Sequence, residues 1–446
     1  MSANGRKTAI IMIHGIGEQR PMDTLRSFAD AVLSATPPPE GKQSYWSKPD
    51  MISGSFELRR LNAYTASRQP PIDFYEFYWA HLMEGTSIGH AVEWLNNLLL
   101  RWPAQVPAKL RRLWSLAWII LALAAAGLFY FSMLQVVGLM AALAGAILFA
   151  AKAGLSGVMR GWIGDAARYF NAKPHNIRVR QAIRAAGVDL LTKLHDSGEY
   201  RRIIIVGHSL GSVIALDILY HYWTKIHEQH NRPTNINQDL LKAFEAALNG
   251  ETPPNTEQIM AFQKDVWREI RGLGVPWRIT DLITLGSPLT HLPFLVGLNA
   301  EEFATRLTQR EFSKSPPILD DKKISYDVDY TTDDNLQRTL AVLHHAACFG
   351  ATRWSNIYFP HNGWLKGDPV GGPLAPLFGA GVQDIPVATS HWHGRLNHVD
   401  YWRDEPTDDE QSISPLKTLI RVLALGEDFK VIKQGKTASD VGQPPS

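Results

Sequence analysis

Residues 202–215 read RIIIVGHSLGSVIA. Arg202 to Val206 end in a compact apolar, largely β-branched run, the signature of a short buried strand. From Ser212 the chain continues SVIALDILYHYW, which has the length and composition of a helix. Between them Ser209 sits in a turn flanked by Gly207 and Gly211. A strand that runs into a sharp turn and leaves as a helix holds a serine hydroxyl out as a nucleophile. The glycines at two positions either side let the helix pack tightly on the strand. The spacing alone decides nothing, because G-x-S-x-G recurs at EGTSIGH around Ser87. There the preceding residues, His81 to Glu84, do not continue a strand, and GTSIG reads as a loop or helix start. Context therefore selects Ser209.

Towards the N-terminus, TAIIMI (8–13) reads as a buried strand followed by HGIGEQ. FELRRLNA (56–63) and IDFYEFYWA (72–80) read as strands, and the residues from there to Leu100 as helix. IRVRQAIRAAGVDLLTKLH (177–195) has helical periodicity. ITDLITL (279–285) and NIYF (356–359) read as further strands, and SPLKTLIRVLAL (414–425) as a closing helix. Strands alternating with helices predict an α/β fold around a mainly parallel sheet. Two stretches interrupt the alternation. Residues 224–276 read as two helices around the breaker ETPPN, and 289–350 as a Pro-containing loop followed by a helix, NLQRTLAVLHHAA. Both are candidate cap elements or surface embellishments.

A serine alcohol needs a base within hydrogen-bond reach, and the base needs an orienting acid. In this arrangement they follow in the order serine, acid, histidine. Of the downstream histidines His291, His344, His345, His361, His391, His393 and His398, the last lies in LNHVDYW after the final strand and suits the role best. His391 and His393, in SHWHG, are the alternatives. Asp368, in the Gly/Pro loop LKGDPVGG after NIYF, leads as the acid; Asp384 is the alternative, and Asp400 is expected to face away. The developing oxyanion needs backbone N–H donors. These are expected from Leu210, directly after the nucleophile, and from Ile16 in IMIHGIG. His14, Gly15 and Gly17 shape that first loop, and Gly207, His208 and Gly211 shape the turn at the serine.

Taken together, HGIG, GHSLG, TLGSPL, GDPVGG and NHVDYW resemble the α/β-hydrolase superfamily, in particular its lipase-like serine esterases. The pattern spans residues 8–402 apart from the insertions, and is similar to an uncharacterised group of bacterial membrane-associated hydrolases. The resemblance implies a serine hydrolase and no defined substrate. It places the family's roles on Ser209, Asp368, His398, Ile16 and Leu210.

One segment departs from the soluble pattern. Leu113 to Ala151, 39 residues, carry no charge. A single span needs about 20 apolar residues, so this run fits a two-helix transmembrane hairpin, 109–160, reversing near Ser132 to Gln135. Lys109, Arg111 and Arg112 precede the run and Lys152 and Arg160 follow it, so both ends are expected on the cytoplasmic side. An even number of crossings also follows from the chemistry, since the Ile16 loop precedes the run and Ser209 follows it. The hairpin would split the hydrolase domain into 1–108 and 161–435, and 436–446 reads as a disordered tail. The N-terminal apolar run is too short for a signal peptide.

Composition sets the remaining bounds. The formal net charge of +2 gives no pull toward nucleic acid. Cys348 is the only cysteine, which excludes an internal disulfide and a cysteine-built zinc site. No metal and no cofactor is expected. The reading is a membrane-anchored serine hydrolase at the inner (plasma) membrane, with membrane lipids and an ester or acyl substrate as partners. An acyltransferase or thioesterase using the same residues, or a non-catalytic membrane scaffold, are the alternatives.

Overall fold

The computed structural model describes residues 7–15, 20–34, 43–55, 57–63, 70–83, 169–170, 173–233, 235–332, 334–360, 367–388, 398–403 and 414–427, with ten single positions between 106 and 126. Its centre is an eight-stranded sheet in the order β10-β9-β6-β5-β1-β4-β3-β2. The strands are β1 (Lys7–Ile13), β2 (Tyr45–Pro49), β3 (Arg59–Ala63), β4 (Ile72–Phe77), β5 (Tyr200–His208), β6 (Ile279–Leu285), β9 (Arg353–Tyr358) and β10 (Val382–Pro386). From β10 to β4 every pairing is parallel; the β4–β3 and β3–β2 pairings are antiparallel, so β3 alone runs against the other strands.

Parallel strands are buried on both faces, which explains why RIIIV lacks alternation. Ile203 and Ile205 enter one core cluster, Ile204 and Val206 the other. The first is covered by α2 (Pro174–Asp196) and α3 (Leu210–Ile226). The second is covered by α1 (Asp23–Ser34) and α7 (Pro415–Leu423). α4 (Asp239–Leu248) and α5 (Thr256–Gly272) also supply the first cluster, through Leu241, Phe244, Val266 and Trp267. The 224–276 stretch is thus part of the layer that covers the sheet. Its breaker has a local job: Asn255 of ETPPN caps α5, reciprocated by Gln258. A further helix, α6 (Ala300–Thr308), follows β6.

One expected helix is a strand. Within NLQRTLAVLHHAA, β8 (Gln337–Leu343) pairs antiparallel with β7 (Ser325–Thr331), Ser325 opposite Leu343. Leu340 and Val342 are buried against Leu273 and Tyr330, whereas Thr339 between the strand's polar positions is exposed. That alternation of two was masked by a leucine spacing that also fits a helix. His344 and His345 accordingly follow a strand and are not helical.

No helix among the described residues is long and apolar enough to cross a membrane. The expected hairpin at 109–160 lies almost wholly outside the described residues, as do Ser87 and the 436–446 tail.

Candidate active site

All parallel strands end at one edge of the sheet, and the candidate residues gather there. β5 ends at His208, and Ser209 follows with φ 52° and ψ −128°. Such a conformation costs a non-glycine residue on the order of 1–3 kcal/mol and persists only where its surroundings hold it. Here the Ser209 amide donates to Leu285 O at 2.9 Å, and its carbonyl accepts from Ser212 N at 2.9 Å and Ser212 Oγ at 2.6 Å. Ser287 Oγ in TLGSPL lies 2.6 Å from Ser212 Oγ and extends the brace to the end of β6. The flanking glycines are required by space. A Cβ on Gly211 would stand 2.2 Å from Ile13 O, and one on Gly207 would stand 2.5 Å from Ser212 Cα.

The structure brings Ser209, His398 and Asp368 together. Ser209 Oγ lies 2.8 Å from His398 Nε2, and His398 Nδ1 lies 2.9 Å from Asp368 Oδ2. Side chains separated by 189 and 30 positions thus form one buried hydrogen-bonded chain. Burial alone would raise the Asp368 carboxyl pKa, but His398, the Tyr401 hydroxyl and the Val370 amide outweigh it and hold it below the usual carboxylate range. Asp368 is therefore an acceptor, so Nδ1 of His398 carries the proton and Nε2 presents its lone pair to Ser209. This arrangement is able to take the hydroxyl proton as the oxygen attacks a carbonyl.

The alternatives are used elsewhere. Asp384 accepts from the amides of Leu374 and Ala375 and from Asn356 Nδ2, at 2.7–2.9 Å, which consumes both its oxygens. Asp400 is buried and pairs with Arg403 at 2.9 Å. His344 is held between Ile318 O and the Ala346 amide. His391, His393 and His361 lie outside the described residues.

Leu210 opens α3, so its N–H is one of the first-turn donors with no intrahelical acceptor. Ile16 and Gly17 lie outside the described residues. The loop that leads to them is placed: a Cβ on Gly15 would stand 2.9 Å from Ser209 Cβ. His14 is buried, stacks on Trp79 at 5.1 Å, and turns Nδ1 onto Gly15 O at 2.8 Å. Burial lowers its pKa to about 4, so it is neutral at physiological pH.

Several contributors were not given these roles by the sequence. Tyr401 donates to Asp368 Oδ2 at 2.7 Å, so that oxygen receives both the phenol and the imidazole. His208 was expected only to shape the turn. Its Nε2 donates to His398 O at 2.7 Å, which ties the Ser209 turn to the His398 loop. Its ring is kept neutral, with a pKa of about 3, by burial and by His398. Trp79 Nε1 donates to His14 O at 3.0 Å and braces the first loop. Gly286, at φ +56°, lets the acid approach, since a Cβ there would stand 2.7 Å from Asp368 Oδ2. The chain matches no family model, no curated protein and no solved structure.

Proposed function

We propose that the protein is a serine hydrolase of the α/β-hydrolase type, anchored to a membrane through residues 109–160 and cleaving carboxylic esters of lipids or other acyl compounds. The observation that carries this reading is the buried chain Ser209 Oγ–His398–Asp368 at 2.8 and 2.9 Å, built on a strained strand-to-helix turn. Ser209 Oγ attacks the ester carbonyl while His398 Nε2 takes its proton. Leu210 N–H donates to the oxyanion, with Ile16 as the expected second donor. His398 returns the proton to the departing alcohol, leaving an acyl-serine. Water, deprotonated by the same imidazole, then cleaves that ester, and the carboxylic acid is released. Asp368 stays ionised and holds the imidazole in the tautomer this requires.

The test is fluorophosphonate labelling of detergent-solubilised protein, together with turnover of p-nitrophenyl esters of increasing acyl length and then of phospholipids. Labelling and turnover are expected in the native protein and lost in Ser209→Ala. Labelling that persists in Ser209→Ala refutes the assignment.

A further inference from the structure

The insertion that carries the uncharged run is rooted at a particular edge of the fold. β4 and β5 both run parallel to β1, so the chain leaves β4 at Phe77 on the same edge at which β5 delivers Ser209. The departing stem is fixed there: Trp79 and Met83 are buried in the core cluster that also holds Ile183 of α2. The chain returns through Tyr169, whose hydroxyl donates to Asp217 of α3 at 2.6 Å, and whose carbonyl accepts from Arg180 of α2 at 2.6 Å.

α2 and α3 lie side by side and run the same way, with Arg184 on Asp217 and Lys225 on Thr192. Leu210 begins α3 seven residues before Asp217, and Pro174 begins α2 ten residues before Arg184. At about 1.5 Å per residue the first turn of α2 stands roughly 5 Å beyond the level of Leu210. Both stems of the insertion therefore rise at the Ser209 edge. Val106 and Trp114 also pack there, against Phe294 and Leu295, which follow the Ser287 turn.

Apolar and basic side chains are exposed along the insertion and beside the site. Trp118, Ile119 and Leu123 are 42%, 52% and 68% exposed. Ile177 in the first turns of α2 and Val399 beside His398 are also exposed, as are the cations Arg111, Lys173 and Arg178. Apolar side chains interleaved with cations suit the boundary of an anionic bilayer.

We infer that the Ser209 edge of the sheet rests against the lipid surface, so that the ester reaching Ser209 is one carried by a bilayer lipid and entering from the headgroup side. The inference rests on the proposed reading of Ser209 as nucleophile and of the uncharged run as a membrane segment. The opposite edge, where α2 ends at Asp196, points to bulk water, about 30 Å away along the nine residues of β5.

The full chain carries its own means of test. Cys348 is buried, and burial pushes its thiol up to about 12, so a maleimide probe goes to an introduced cysteine. An environment-sensitive fluorophore is placed separately at Val399→Cys, Ile177→Cys and Asp196→Cys. Each protein is reconstituted in phosphatidylcholine–phosphatidylglycerol vesicles containing a phosphatidylcholine spin-labelled near the headgroup. Most of the emission is expected to be lost at positions 399 and 177 and retained at 196. Equal loss at all three, loss at 196 alone, or no loss anywhere overturns the inference; the last result gives the edge to water or a protein partner. Fluorophosphonate labelling of the same variants in detergent separates the two readings. Labelled protein without edge quenching overturns only the orientation. Edge quenching in native-fold protein that never labels overturns only the hydrolase.

Discussion

Replacing Asp368 by Asn probes the site most sharply, because every polar neighbour of this side chain is a donor. Oδ2 receives His398 Nδ1 at 2.9 Å and Tyr401 Oη at 2.7 Å, and Oδ1 receives the Val370 amide at 2.8 Å. An asparagine has one acceptor oxygen to offer. If that oxygen stays on Val370, its NH2 faces His398 and favours the tautomer with the proton on Nε2, which cannot take a proton from Ser209. If the oxygen turns to His398, the NH2 meets the Val370 N–H, and a buried donor pair is left unsatisfied at a cost of about 1–3 kcal/mol. In serine proteases the wrong tautomer lowers kcat by about 10⁴-fold. That corresponds to roughly 5.4 kcal/mol of transition-state stabilisation. Asp368→Asn is expected to fold, and to lose between about 10³- and 10⁴-fold in turnover of a soluble short-chain ester and in the rate of fluorophosphonate labelling. The control is Asp384→Asn, which disturbs the amides of Leu374 and Ala375 and touches none of the reacting groups. It is expected to lower the unfolding temperature with activity per folded molecule retained. Asp368→Asn within tenfold of the native rate, or an Asp384→Asn loss as large, would refute the assigned acid.

Three further outcomes follow from the same geometry. Gly211→Ala sets a Cβ 2.2 Å from the backbone oxygen of Ile13, which cannot rotate away; a loss of about 3 kcal/mol or more is expected by denaturation, with activity lost alongside. Tyr401→Phe removes one donor from the Asp368 carboxylate and leaves His398 bonded to it, so it should cost about 1.5–3 kcal/mol of stability while kcat falls far less than in Asp368→Asn; an equal fall in kcat would make Tyr401 more than a brace. The third concerns pH. His14 and His344, with pKa lowered to about 4, and His195 and His208, to about 3, are held neutral chiefly by burial. Their contribution is full above the ordinary value of 6.5 and is lost as pH falls through the folded values. Glu76 and Glu269, raised to about 7 by burial, act oppositely: their contribution is full below 4.5 and is lost as pH rises through 7. Four histidines outnumber two glutamates, so from pH 6.5 toward 5 the fold should weaken by roughly 2–3 kcal/mol per pH unit. Thermal unfolding in mild detergent across that range checks it, and flat or rising stability would contradict it.

Much of this was legible because it is local. A strand, a glycine-flanked turn and a helix lie within 27 consecutive residues, Tyr200 to Ile226, and their apolar content shows in the sequence. α1 was equally legible in principle, since Leu25, Phe28, Ala29, Val32 and Leu33 fall at helical spacing and are all buried. β10 was not: VQDIP is five residues long, ends in proline, and becomes a strand only through its parallel pairing with β9. β8 reversed its expected type for a related reason, because antiparallel pairing to β7 outweighed a leucine spacing that fits either period.

The amino-acid order by itself determined that Ser209 stands where a strand turns into a helix, and that 39 uncharged residues separate the first loop from it. Those properties depend on neighbours along the chain. It also ranked Asp368 and His398 first, but only by order and loop type, which left Asp384 and His391 open. Tertiary structure decided between the acids by showing where each carboxylate spends its lone pairs: Asp384 on backbone amides, Asp368 on His398 and Tyr401. It also decided that both stems of the uncharged segment rise at the Ser209 edge. Hydrogen bonds between residues 30 to 189 positions apart leave no trace in composition or periodicity, because they depend on directions in space that only the packed sheet creates.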